Sequence, residues 1–191
     1  MKIRSPWWLV VLCFLTIPAV ASAGKAPAVG DQLENLRLPT PESTDTRTYL
    51  GLPPGESFPV TAITGKILVI EIFSMYCPHC QREAPAVNRL YQAIQDSGTL
   101  RDRVRMIGIG VGNSTFEINH FRKHYSIPFP LFPDEDFSVH KAIGEVRTPF
   151  FIIIALGPDG KGRILWTKSG SMGELETFMA RLNDLARDGE P

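Results

Sequence analysis

The chain has 191 residues, 20 basic and 20 acidic side chains, and therefore a formal net charge of zero at pH 7. This balance excludes a strongly basic surface of the kind that binds nucleic acid or anionic lipid. The hydrophobic fraction of 43% is that of a globular protein, and the length suffices for one domain with a substantial core.

The N-terminal residues have the pattern of a secretory signal peptide. Lys2 and Arg4 precede an apolar stretch at residues 7–20, which is short for a membrane span. Ala21-Ser22-Ala23 supply the small side chains that signal peptidase recognises, so we expect cleavage after Ala23 and export, for example to the periplasm. The alternative is a retained N-terminal membrane anchor.

Export changes how the cysteines are interpreted. Cleavage would remove Cys13 and leave Cys77 and Cys80, in a compartment where disulfides form and persist. The remaining 168 residues, with 18 basic and 20 acidic side chains, again indicate no nucleic-acid partner.

The first half of this domain divides into an arm and a regular core. Residues 24–65 are rich in Pro, Gly, Thr and Ser, which predicts an N-terminal arm with one or two short strands and long loops. The core, residues 66–188, begins with an apolar run at 67–73 that is typical of a central strand covered on both faces. Residues 80–95 then carry apolar side chains at helical spacing.

The second half continues the alternation of strands and helices. A strand is predicted at 104–111, and Ser114 with Glu117 forms a capping box that opens a helix to about Tyr125. Further segments follow in order: an extended piece at 127–131, a short helix at 137–143, a strand at 149–156, a turn at 158–160, a strand at 163–167, and a second capping box at 171–174 that opens a closing helix. The pattern predicts an α/β sheet with helices on both sides.

The stretch ILVIEIFSMYCPHC ends on two cysteines that lie between a predicted strand and a predicted helix. At a helix N-terminus the unpaired backbone N–H groups and the helix dipole stabilise an anion, so the thiolate of Cys77 is favoured. Pro78 suits the first helical turn, where its missing N–H costs nothing. We therefore expect a redox-active dithiol in which Cys77 is the nucleophile and Cys80 attacks the mixed disulfide that Cys77 forms.

Two other interpretations of the cysteine pair stay open. A purely structural disulfide is less favoured because loop-closure stabilisation shrinks with the size of the loop. A zinc site would combine the cysteines with His120 and His124, which share one helix face, but about 39 residues separate the two halves. We expect no metal site, and no cofactor other than a disulfide between Cys77 and Cys80.

The sequence resembles known families at these positions. ILVIEIFSMYCPHCQREAP looks like the active-site segment of the thioredoxin superfamily, and Pro78-His79 with EIFSMY resembles the DsbA oxidases. The remaining chain, from AVGDQLENLRL through HFRKHYSIPFPLFPDED to RTPFFIIIALGPDGKGRILW and SGSMGELETFM, resembles the TlpA/ResA-like periplasmic thiol–disulfide oxidoreductases, which are related to peroxiredoxins. The resemblance implies a thioredoxin-like fold: a central mixed sheet with helices on both faces, an N-terminal strand and loop extension, and a helix–strand insertion.

The resemblance also implies roles for individual residues. Thr148-Pro149 matches the cis-proline loop, which lies beside the active site and offers a backbone edge to the partner. Glu71 matches a buried acid that can relay a proton to or from Cys80, since burial raises the pKa of a carboxyl group. His79 matches a residue that favours the thiolate of the nucleophilic cysteine and makes the disulfide more oxidising.

The implied activity is that of an enzyme, a thiol–disulfide oxidoreductase acting on protein thiols and disulfides. The TlpA/ResA-like segments imply a reductant, for example in cytochrome c maturation, recharged by a membrane electron-transfer partner. The CPHC segment implies a DsbA-like dithiol oxidase instead. A peroxidase is disfavoured because no threonine stands in a Thr-x-x-Cys context before Cys77. A binding protein is the remaining alternative: a copper metallochaperone using Cys77, Cys80 and Met75, or an adhesin.

Overall fold

The structure is a computed structural model, and it describes residues 25–33, 36–157 and 160–188. The predicted signal peptide and its cleavage site lie outside these residues, as do two of the three residues of the predicted turn at 158–160. Within the described ranges, none of the helices combines the length and the apolar character needed to cross a membrane.

Strands and helices alternate along the described chain. The strands are β1 (Arg37–Pro39), β2 (Ser57–Pro59), β3 (Ile67–Phe73), β4 (Val104–Val111), β5 (Leu131–Asp134), β6 (Phe150–Leu156) and β7 (Gly162–Ser169). The helices are α1 (Thr44–Leu50), α2 (Pro78–Asp96), α3 (Thr115–Tyr125), α4 (Ser138–Ala142) and α5 (Leu175–Asp188), with a 3₁₀ turn at Val60–Ala62.

Five strands form one mixed sheet in the order β5-β4-β3-β6-β7. β3 and β5 both run parallel to β4, whereas β6 runs antiparallel to β3 and β7. All seven residues of β3 are buried, which is expected of a central strand that is covered on both faces. This arrangement is the mixed α/β sheet that the sequence predicts.

The two faces of β3 belong to two different cores. Leu68, Ile70 and Ile72 pack with the N-terminal arm and α4, whereas the odd-numbered Val69 and Phe73 pack with α2, α3 and α5. Side chains alternate between the faces of a strand, so Glu71 points toward the side of the sheet that α2 covers. Helices therefore lie on both faces of the sheet.

The arm differs from its prediction because it contains a helix as well as two paired strands. The hydroxyl of Ser43 accepts a hydrogen bond from the N–H of Thr46 at 3.3 Å and begins α1. Gly51, with a φ of 68°, ends α1 in the left-handed conformation. The helix is anchored by the fully buried side chain of Leu50 and by Tyr49, which packs against the same core. Two adjacent apolar residues give no helical periodicity in the sequence.

The extended piece predicted at 127–131 is wrong in its position, because the strand β5 occupies Leu131–Asp134. Pro128 and Pro130 have no N–H to donate to a ladder. The carbonyl group of Pro130 still accepts a hydrogen bond from the N–H of Gly108 at 2.9 Å, and regular pairing with β4 starts at the next residue.

The predicted capping box at residues 171–174 is also wrong. The hydroxyl of Ser171 donates to Oε1 of Glu83 at 2.9 Å, and the N–H of Met172 donates to the same oxygen at 2.7 Å. α5 begins only after Glu174, whose carbonyl group accepts from the N–H of Phe178 at 3.1 Å. A tertiary contact to α2 thus replaces the local cap.

Candidate active site

Cys77 lies at the junction between β3 and α2. It is the residue that caps α2, and Pro78 occupies the first turn of that helix. The N–H of Cys77 donates to the carbonyl group of Ser74 at 3.0 Å, which closes the turn after β3. The side chain of Cys77 is partly exposed, whereas Cys80, in the first turn of α2, is buried. Both thiols are free, so the structure corresponds to the reduced form.

The environment of Cys77 favours its thiolate. Burial of the sulfur raises its pKa, but hydrogen bonds with the side chain of Thr148, with the backbone and thiol of Cys80, and with the backbone of His79 outweigh this effect and lower the pKa below its ordinary value. In the thiol form, Sγ donates to the carbonyl oxygen of Thr148 at 3.4 Å. The carbonyl group of Thr148 can therefore accept from the thiol of Cys77, and its side chain can donate to the thiolate.

Cys80 has the opposite character. Its side chain is 1% exposed, and burial raises the pKa of its thiol well above the ordinary value. The hydrogen bond to Cys77 and the charges of Cys77 and Glu71 act in the same direction. The pair thus combines an accessible sulfur whose thiolate is favoured with a buried sulfur whose thiol is favoured. These are the properties expected of a nucleophilic and a resolving cysteine, respectively.

Glu71 is the buried acid beneath this pair. Its side chain is 5% exposed, and burial, followed by the charge of Glu83, raises its pKa to about 8. Glu71 is close enough to Cys80 for its charge to raise the pKa of that thiol. A carboxyl group with a pKa near neutrality can both take and return a proton.

The loop before β6 completes the site. The peptide bond between Thr148 and Pro149 is cis, as the resemblance implies, and Pro149 is buried while Thr148 is half-buried. The carbonyl group of Pro149 accepts from the N–H of Gly170 at 2.9 Å, which ties the loop to β7. The loop therefore places the backbone of Thr148 directly against the sulfur of Cys77.

His79 is placed differently from the other predicted site residues. The side chain is exposed, and its Nδ1 lies 2.9 Å from Nη2 of Arg82, one helical turn further along α2. Because a guanidinium group can only donate, Nδ1 accepts this hydrogen bond. The hydrogen bond by which His79 lowers the pKa of Cys77 comes from its backbone.

The two histidines of the zinc interpretation lie on the exposed face of α3. The rings of His120 and His124 are stacked, with centroids 6.1 Å apart. Across the residues that the structure describes, no three His, Cys, Asp or Glu side chains are arranged to hold a metal ion. The arrangement gives no support to a zinc site that joins these histidines to Cys77 and Cys80.

Sequence reasoning missed an apolar cleft beside Cys77. The cleft has a volume of about 510 Å³, and Ser74, Tyr76 and Thr148 are among the residues that line it. Phe137 and Arg147 line it as well. Tyr76 and Phe137 are 64% and 44% exposed, a high exposure for aromatic side chains. Tyr76 and Phe137 are 61 residues apart in the sequence and line the same cleft, so no local sequence pattern could have identified it.

A second omission concerns polar partners of the active-site turn. The buried side chain of Asn113 accepts a hydrogen bond from the N–H of Met75 at 2.8 Å, and Gln81 donates to the carbonyl group of Met75 at 2.7 Å. The one available signal was a polar residue in the GNS loop that directly follows a buried strand.

The comparisons with known proteins agree with this geometry. Residues 29–164 match the model of the AhpC/TSA family. The thiol–disulfide oxidoreductase ResA of Bacillus subtilis is 26% identical over 191 residues, covering 98% of this chain and 94% of the relative. ResA of Halalkalibacterium halodurans is 28% identical over 127 residues, covering 65% of this chain and 67% of the relative.

Solved structures show the same fold. StoA from Bacillus subtilis superposes with a TM-score of 0.52 at 21% identity, covering 66% of this chain and 88% of that one. The thioredoxin domain of a thiol-disulfide oxidoreductase from Bacteroides vulgatus superposes with a TM-score of 0.60 at 13% identity, covering 84% and 99%. The chain therefore belongs to the AhpC/TSA family, as a TlpA/ResA-like thiol–disulfide oxidoreductase of the thioredoxin superfamily.

Proposed function

We propose that the protein is exported and reduces disulfides of other proteins through Cys77 and Cys80. The observation that carries this proposal is the contrast between the two thiols. Cys77 is partly exposed at the N-terminus of α2 with a lowered pKa, and Cys80 is buried beside Glu71 with a raised pKa. A membrane electron donor would restore the dithiol after each turnover, and cytochrome c maturation is a process that such a reductant would serve.

The reaction follows from the positions of the three groups. The thiolate of Cys77 attacks one sulfur of the substrate disulfide, forming a mixed disulfide and releasing the other sulfur as a thiolate. Ionised Glu71 then takes the proton of Cys80, whose thiolate attacks Sγ of Cys77. The second substrate sulfur leaves as a thiolate, and a Cys77–Cys80 disulfide remains. The substrate has gained two electrons and the enzyme has lost two.

Exposed aromatic side chains near Cys77 support a protein substrate. Within the described ranges, four large apolar side chains are strongly exposed: Val29, Tyr76, Phe116 and Phe137. Tyr76 and Phe137 line the cleft beside Cys77, and Phe116 is next to Glu117, which accepts a hydrogen bond from Tyr76. Exposed aromatic residues of this kind contribute most of the contact energy in protein interfaces.

We expect Phe137→Ser to slow the reduction of a protein disulfide about tenfold, because about 1–2 kcal/mol of apolar contact is lost with the ring. The rate with a small aromatic disulfide reagent should change by less than about twofold, since that reaction needs only Cys77. The measurement is kcat/KM for both substrates, with Val29→Ser as the matched control. Equal losses with both substrates would contradict a docking role.

The direction of electron flow is tested by the reduction potential of the Cys77–Cys80 pair. The similarity to ResA over nearly the whole chain supports a reductant, and we expect a potential near that of thioredoxin, about −270 mV. The lowered pKa of Cys77 favours the alternative, a dithiol oxidase, because it stabilises the reduced form. Equilibration with glutathione distinguishes the two, and a value near about −120 mV would overturn the reductant proposal.

His79 provides a further prediction about this potential. We expect His79→Ala to leave the pKa of Cys77 and the reduction potential nearly unchanged, because the imidazole group bonds Arg82 and the hydrogen bond that lowers this pKa comes from the backbone of His79. The thiolate absorbance of the reduced protein, followed against pH, measures the effect. A raised pKa in the variant would show instead that the imidazole group itself favours the thiolate, as the resemblance implies.

Copper delivery is the alternative from a different functional class. It needs Cu(I) bound by Cys77, Cys80 and Met75, and soft sulfur ligands are suited to that ion. Titration of the reduced protein with Cu(I) under a competing chelator tests it. Tight one-to-one binding together with an absence of disulfide reduction would favour this alternative.

A further inference from the structure

Met75 is the residue at which two side chains from outside the active-site turn hold that turn in place. It lies between the end of β3 and Cys77, and its N–H donates to Oδ1 of Asn113 at 2.8 Å. Its carbonyl group accepts from Nε2 of Gln81 at 2.7 Å. Both backbone polar groups of Met75 are therefore satisfied by side chains, one from the loop after β4 and one from the second turn of α2.

The burial of Asn113 indicates that this contact is more than a surface hydrogen bond. The side chain is 0% exposed, and its Nδ2 has no hydrogen-bond partner among the described residues. An unsatisfied buried donor destabilises a fold, so stability by itself does not explain an asparagine here. The lack of a side chain at Gly110 leaves space for the side chain of Asn113, because a Cβ atom at position 110 would lie 3.1 Å from Oδ1 of Asn113.

The same loop contacts the next residue of the turn. The hydroxyl of Tyr76 donates to Oε1 of Glu117. Oε2 of Glu117 accepts from the N–H and the hydroxyl of Ser114, both at 2.7 Å, in the capping box that the sequence predicts. The start of α3 is thus bound to the two residues that immediately precede Cys77.

We propose that Asn113 and Gln81 are positioning residues that fix the turn at Met75 and thereby orient the sulfur of Cys77. One residue separates Met75 from Cys77, and Sγ of Cys77 lies 3.4 Å from the carbonyl oxygen of Thr148. A shift of the turn at Met75 would therefore move the sulfur relative to this partner. The inference rests on the proposed role of Cys77 as the nucleophile.

The test uses Asn113→Leu and Gln81→Met, which keep side-chain size but remove the hydrogen-bonding groups. Exposed residues of the same types supply the controls: Asn119→Leu on α3, the helix that follows the loop of Asn113, and Gln92→Met on α2. The readout is the rate at which iodoacetamide alkylates Cys77 in the reduced protein, measured against pH. Circular dichroism and thermal unfolding report whether each variant folds.

We expect both variants to react about two- to tenfold more slowly near pH 7, the equivalent of one hydrogen bond, and to recover the wild-type rate at high pH. The double variant should lose less than the product of the two single losses, because both side chains act on one residue. The controls should match the wild type. Unchanged rates in the folded variants, or an equal loss at every pH, would overturn the proposal.

A second measurement, amide hydrogen exchange, does not depend on the substrate, and its wild-type part does not depend on folding of the leucine variant. The amide proton of Met75 should exchange slowly with solvent in the wild type and faster in Asn113→Leu, and Gln81→Met provides the reactivity test if the leucine variant does not fold. Fast exchange in the wild type would contradict the proposal. If the proposed function is wrong, the wild-type protein will leave protein disulfides intact although the amide proton of Met75 exchanges slowly.

Discussion

Cys77→Ser is expected to remove disulfide exchange altogether, whereas Cys80→Ser is expected to stop the reaction after its first step. The partly exposed sulfur at the start of α2 is the one that a substrate can reach, and the buried sulfur of Cys80 can attack only within the protein. Turnover is measured with a protein disulfide and a recycling reductant. The Cys80→Ser protein should instead accumulate a mixed disulfide, visible as an increase in mass under non-reducing conditions.

The control for this pair is the double variant, which should form no adduct. Cys80→Ser protein that turns over at the wild-type rate would show that Cys80 is not the resolving thiol. Recovery of no mixed disulfide from that variant, under conditions in which the wild type is active, would argue against exchange with protein substrates.

Glu71→Gln is expected to lower turnover about 10²-fold, the typical contribution of a positioned general acid or base. Glutamine keeps the shape of the side chain but cannot take the proton of Cys80. With Glu71 present, reduction should accelerate as the pH rises through about 8, where the carboxyl group ionises. The variant should lose this step in the profile of kcat against pH, and a profile identical to the wild type would contradict the proton relay.

The same substitution is expected to stabilise the fold at neutral pH. Because burial raises the pKa of Glu71 above its unfolded value, folding binds a proton, and the contribution of this group to stability is full below the unfolded pKa. That contribution is lost as the pH rises from the unfolded pKa to about 8. Glu71→Gln should therefore gain roughly 1–3 kcal/mol in the free energy of unfolding at pH 7 and little at pH 4, measured by urea denaturation.

Stability at pH 7 that is equal in the two proteins would show that Glu71 is not a buried acid with a raised pKa. Glu83→Gln serves as the matched control. In the wild type, the carboxylate of Glu83 raises the pKa of Glu71 and accepts hydrogen bonds from Ser171 and Met172. We expect its substitution to lower the pKa of Glu71 slightly, which moves the step in the activity profile to a lower pH without abolishing it.

The core of the fold could be predicted because its signals are local. The apolar run of β3 and the helical spacing of α2 arise from residues that are neighbours along the chain. The helix α1 gave no such signal, since its caps at Ser43 and Gly51 enclose a mainly polar segment. The sequence around Ser171 matched a capping box, but the carboxylate of Glu83, 88 residues away, bonds that hydroxyl instead. At α1 and at Ser171, tertiary contacts rather than local sequence patterns determine the structure.

The residues of the candidate site likewise include some that a motif or a resemblance predicts and others that only tertiary contacts place. Cys77, Cys80, Glu71 and the loop at Thr148 were predicted from a motif and a resemblance, and the structure brings them together. Asn113 could not be predicted, because its partner Met75 is 38 residues away and polar loop residues are usually solvated. The orientation of the His79 ring toward Arg82 likewise depends on side-chain geometry that the CPHC motif does not contain.

The central claim is that Cys77 is the nucleophile and that Cys80 stays a buried, unreactive thiol until it resolves the mixed disulfide. The most direct measurement is alkylation of the reduced wild-type protein with a pulse of iodoacetamide at several pH values, with the modified cysteine identified by peptide mass spectrometry. We expect reaction at Cys77, with an apparent pKa below the ordinary thiol value, and protection of Cys80 until the protein unfolds. Equal labelling of both cysteines, or labelling of Cys80 first, would contradict it.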